Sequence, residues 1–165
     1  MEVADNALLD ENIEAVFAAY ESGITAEPKS SELNWGLATM TFLYRNLAKE
    51  RYQIDDQQAI DRAFELYHRA IELDPDNFAL AADVAVTYFG ITPPRPEQAI
   101  AAWRYVVTLA RTDFERENAF LHLARTQIQA GLLEEASESL AQIKGAADPE
   151  IKRVLLRRLE AARAK

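Results

Sequence analysis

The sequence predicts an all-α protein built from repeated helix pairs, and three observations carry that prediction. Apolar residues recur at helical spacing along most of the chain, for example Leu9, Ile13, Val16, Phe17 and Tyr20. Five glycines and six prolines in 165 residues leave too few turn signals for an all-β fold. A small residue returns at Ala63, Ala99 and Ala136, at shifts of 36 and 37 residues, and self-similarity at such a period marks stacked helical units.

The stretch from Ala63 to Pro75 is the clearest copy. Ala63, Tyr67 and Ala70 fall on one face of a helix with 3.6 residues per turn. The alanines let another helix approach closely, Tyr67 fills the space between them, and Pro75 cannot continue the helix. This Ala-x3-Tyr-x2-Ala-x4-Pro spacing resembles the second helix of a tetratricopeptide repeat.

Taken in order, residues 6–22 read as an amphipathic helix, with Gly23 as a stop. A polar segment through Pro28 follows, and Ser30 or Ser31 can cap a helix starting near Glu32. Trp35, Ala38, Thr39 and Phe42 then match the first-helix offsets of the family. About a dozen residues, around Arg45 to Gln57, are inserted before the second helix. Leu43, Tyr44 and Leu47 extend the first helix to about Glu50, ahead of a polar loop. In the second cycle Val84, Ala85 and Tyr88 mark the first helix, and Ala99, Trp103 and Val106 the second. Between them, Gly90 to Pro96 forms a turn with three prolines. In the third cycle Phe120, Leu123, Ala124 and Gln127 precede Gly131 at a turn; Ala136, Leu140 and Ile143 follow, and Gly145 ends the helix. Asp148, Pro149 and Glu150 read as N-cap, first helical position and first-turn acid of a last helix.

The resemblance covers about residues 32–148 and implies a right-handed α-α superhelix, a tetratricopeptide-like solenoid. It forms one domain over residues 1–165. Its parts are an extra helix at 6–22, repeats at 32–77, 78–113 and 114–148, and a capping helix at 149–165.

Composition narrows the function. A net charge of −9 opposes a nucleic-acid backbone binder, which needs clustered Lys and Arg. No apolar run is long enough to span a membrane. The start, Met-Glu-Val-Ala-Asp, lacks the features of a signal peptide, so a cytoplasmic location is the first expectation. A leader upstream of this sequence would make the protein periplasmic or secreted. With no cysteine there is no disulfide or thiolate site. His68 and His122 have no partner at metal-ligand spacing and are expected on the surface or in packing. Neither a Gly-rich phosphate loop nor a Gly-x-Ser-x-Gly elbow occurs. The paired carboxylates Asp55–Asp56 and Glu134–Glu135 sit at helix ends and loops, where solvation keeps them ordinary. The expectation is a non-enzyme with no cofactor and no metal.

In the tetratricopeptide family the first helices line a concave, segment-binding face. Carried over by position, that face comprises Gly36, Met40, Leu43 and Tyr44, then Ala82, Val86 and Phe89, then Asn118, Leu121, Arg125 and Ile128. Most of these are apolar, and Arg125 alone offers a charge, so the resemblance does not extend to the clamp that holds a terminal carboxylate. An apolar face of this extent calls for a cover: a partner's apolar or amphipathic segment, the chain's own residues 6–22 or 45–57, or a second copy. The leading function is therefore a protein-interaction module, an adaptor or scaffold. The alternatives are a small chaperone, and a structural assembly subunit that self-associates. For the last, the acidic residues 1–34 (net −7) would meet the basic residues 149–165 (net +4) head to tail.

Overall fold

A computed structural model describes residues 2–164, with side chains from Asn12 onward. Among the described residues there are nine α-helices, one short 3-10 turn and no strand, so the all-α expectation holds. Contacts divide the chain into two units, Met1–Asp76 and Asn77–Lys165.

The first unit contains α1 (Glu2–Ala26), α2 (Ser31–Leu43), α3 (Arg45–Tyr52) and α4 (Asp56–Leu73). Ser30 caps α2 by accepting from the Leu33 N–H, while the Ser31 hydroxyl donates to the Ala70 carbonyl of α4 at 2.8 Å. Asp55 and Gln58 form a reciprocal capping box at the start of α4. The small residues Ala38, Ala59, Ala63 and Ala70 are fully buried, and α2 packs closely on α4. Tyr67 is buried among them, its hydroxyl 3.1 Å from that of Thr39.

Two expectations about this unit are corrected. Gly23 does not stop α1, which runs on to Ala26; a side chain at 23 would instead meet Leu33. The first helix does not extend unbroken to Glu50. It breaks at Tyr44 (φ −106°, ψ 43°), and the separate α3 turns Ala48 into a cluster with Ile13, Phe17 and Leu37. That cluster is the docking surface of α1. Its burial supplies the stabilisation that an extended helix would forgo. Leu9, the first position of the α1 stripe, lies outside the residues whose side chains are described.

The second unit contains α5 (Phe78–Thr87), the 3-10 turn Tyr88–Gly90, α6 (Pro96–Leu109), α7 (Asp113–Gln129), α8 (Leu133–Ala141) and α9 (Pro149–Arg163). Asn77 caps α5, Thr112 and Glu115 form a capping box on α7, and Asp148 caps α9 ahead of Pro149. Helices α5, α6 and α7 enclose Ala85, Trp103, Val106, Ala119 and Leu123. A second cluster joins Leu121 and Ala124 of α7 to Ala136 and Leu140 of α8 and to Leu155 and Leu159 of α9. Gly131 turns the chain at φ +78°, where a side chain would be strained. Helix α8 ends at Ala141, short of the expected Gly145, so Ile143 reaches the core from a loop. That loop wraps a buried carboxylate: Glu117 accepts from the backbone N–H groups of Lys144, Gly145, Ala146 and Ala147 at 2.6–3.0 Å.

Candidate functional site

The expected groove positions meet different fates. In the first unit α1 already covers part of that face. The Tyr20 ring lies over Gly36, where a Cβ would come within 2.2 Å of it, and Met40 packs against the Ile13–Phe17 cluster. The clasp is ionic as well as apolar. Arg51 of α3 forks onto Glu21 of α1 at 2.6 and 3.3 Å and also pairs with Glu14, while the Tyr52 hydroxyl donates to Glu21 at 2.7 Å. Chiefly through the Arg51 hydrogen bond, Glu21 is held below the usual carboxylate range. Leu43 and Tyr44 escape this cover. They are 66% and 37% exposed, and they line a shallow cavity with Arg45, Asn46, Leu47 and Asp56.

In the second unit the structure brings Phe89 and Arg125 together and separates the others. Leu121 is not at the surface: it is 2% exposed and packs with Ala136 and Leu140. Ala82 and Ile128 are half-buried against two different core clusters. Val86 is 47% exposed.

Phe89 sits in an aromatic group, its ring 6.0 Å from Trp103 and 5.9 Å from His122. His122 stacks on Trp103 with centroids 4.5 Å apart and planes inclined by 16°. His122 therefore has a packing role. Burial, and then the nearby Arg125 charge, push its pKa below the ordinary value. The Arg125 guanidinium lies over Phe89 at 4.3 Å, a cation–π contact.

Beside this group opens a cavity of about 290 Å³. The 3-10 turn contributes Tyr88 and Phe89, and the following proline turn contributes Ile91, Pro94 and Arg95. Pro96 and Ala99 come from α6, and Arg125, Thr126 and Gln129 from α7. Of these residues, carry-over by position names only Phe89 and Arg125. The proline turn lies outside the repeat pattern, and its excess length is the one sequence signal that could have pointed there.

A larger cavity of about 360 Å³ lies among α6, α7 and α8, lined by Phe120, Leu123, Gln127 and Ser139. Four of its polar groups already pair with one another: Arg104 with Glu135 at 2.6 Å, and Ser139, which donates to Gln127 at 2.8 Å. The smaller cavity has the more incomplete chemistry, because the Arg125 Nε is buried with no hydrogen-bond partner. No cluster of three metal-ligating side chains occurs among the described residues, and no helix there is long and apolar enough to cross a membrane. No protein-family model matches the sequence, and no curated protein matches it.

Proposed function

We propose that the protein is a non-catalytic protein-interaction module with helix pairs of the tetratricopeptide type. In this reading the unit Asn77–Lys165 takes an apolar or amphipathic segment of a partner protein. The observation that carries the proposal is the Phe89–Arg125 cavity, apolar on most of its lining; Val86, exposed on the helix that precedes Phe89, is assigned to the same face. Concave, mainly apolar sites with a few polar groups are the usual form of a binding site. An amphipathic helix laid in an apolar groove is the mode that fits an apolar cavity with an exposed valine on the preceding helix.

The first unit supports this assignment by contrast, since α1 occupies its Gly36–Met40 face. Self-association is the second reading. It is favoured by α9, on which Ile151, Val154 and Leu156 are exposed beside the basic residues.

An array of amphipathic peptides probed with the wild-type chain and with Val86→Glu tests the leading reading. Val86 is exposed, so the substitution leaves the fold intact. The expected result is a set of bound peptides sharing an apolar stripe, with affinity reduced about tenfold or more in the variant. Equal binding of the same peptides by both proteins would remove this face from the account. Salt-dependent dimers in light scattering that Val154→Glu splits would favour self-association.

A further inference from the structure

We propose that the cavity beside Phe89 receives an acidic side chain, Asp or Glu, carried next to an apolar residue in the partner segment. This rests on the reading of the unit Asn77–Lys165 as a segment-binding face. Three observations point to that chemistry.

The first is the state of Arg125. A guanidinium offers five N–H donors in a fixed fork; two others in this chain satisfy theirs with carboxylates, while Arg62, its Nε likewise buried without a hydrogen-bond partner, lies over Tyr52. Arg51 meets Glu21 and Arg104 meets Glu135, each at 2.6 Å. Arg125 makes no ion pair among the described residues, and its Nε is buried without a hydrogen-bond partner. It is held in place by the face of Phe89, at 4.3 Å. A buried guanidinium N–H without an acceptor is costly, and a carboxylate brought by a ligand would form a charge-assisted pair with Arg125.

The second observation is charge complementarity. The chain carries a net charge of −9, yet no Asp or Glu lines this cavity, whose two charged residues are Arg95 and Arg125. An acidic group entering there meets attraction that the chain as a whole does not offer.

The third is size. About 290 Å³ falls just below the ~300–1,000 Å³ of sites that enclose a whole drug-sized ligand. It suits one or two side chains of a longer segment. Arg125 meets the acid, and Tyr88, Ile91 and Pro94 meet the apolar neighbour.

The test uses fluorescein-labelled amphipathic peptides with amidated C-termini, identical except for a single Glu or Gln beside a Leu. Amidation leaves the side chain as the variable carboxylate. Fluorescence anisotropy should show the Glu peptide binding wild type at least about tenfold more tightly than the Gln peptide. Arg125→Gln should abolish that preference. So should Gln129→Glu, which places a carboxylate at the cavity from an exposed position and does not disturb Phe89. Equal binding of both peptides by wild type would overturn the acidic-side-chain assignment and leave the segment-binding reading standing.

A second arm adds 3-phenylpropionate or its amide and follows the amide resonances of Phe89 and Thr126. Shifts with the acid alone, together with no binding of either peptide, would identify a site for free carboxylates and overturn both the assignment and the segment reading. Silence in both arms would overturn both as well.

Discussion

At position 117 a carboxylate is only 5% exposed and yet fully supplied with donors, four successive backbone N–H groups of the loop before α9. These bonds, that of Ala147 foremost, lower the Glu117 pKa from 4.5 to about 2. The contribution to stability is thus complete above 4.5 and is lost as pH falls from there toward about 2. Glu117→Gln keeps the size but presents an amide N–H₂ to four donors. Its urea midpoint should fall at pH 7, and the gap to wild type should narrow by pH 3. Equal midpoints at pH 7 would show that the loop does not depend on the charge. Trp103 is the other residue on which the second unit leans: 2% exposed, stacked on His122, and near Phe89. Trp103→Ala should cost about 3–5 kcal/mol in chemical denaturation. An unchanged midpoint would mean that α6 is not anchored by this ring.

At the scale of elements, the helix starts were legible because caps are local chemistry. Ser30 and Asp148 each accept from an N–H within the next three residues. The alanine–tyrosine pattern likewise foretold which face of α4 is buried. The break at Tyr44 was not legible, since Leu43, Tyr44 and Leu47 continue a helical pattern and neither Gly nor Pro interrupts it. What decides it is long-range: Ala48 meets Phe17, and Arg51 meets Glu14 and Glu21, across 30 or more residues of chain. The same clasp holds α1 in place. Arg51→Met should free it, and each lost charge-assisted bond of about 1.5 kcal/mol or more raises local opening roughly tenfold. Hydrogen exchange in residues 12–26 should accelerate by at least that factor, with α4 unchanged. Uniform acceleration through both helices would mean that α1 opens only with the whole unit.

Over the whole molecule, carry-over by position found two of the residues lining the second-unit cavity, Phe89 and Arg125. It missed Ile91, Arg95 and Gln129 because they belong to a proline-rich turn or to a face that no repeat mark records, and it took Tyr88 as a packing mark and not as a lining residue. Cover by residues 6–22 was one of three alternatives the sequence left open, since an amphipathic stripe does not name the surface it will meet; α1 covers Gly36 and packs against Met40. The proposed function joins two observations: α1 covers part of one expected face, and the second-unit cavity is proposed to take a partner's segment. The most direct measurement is an amide chemical-shift map of the labelled protein, free and with an amphipathic peptide selected from the array. The account predicts shifts at Val86, Phe89, Arg125 and Gln129, with α1 and Gly36 undisturbed. Shifts gathered at residues 34–48, with the α1 resonances collapsing to those of an unfolded segment, would contradict it. The binding face would then be the one that α1 covers.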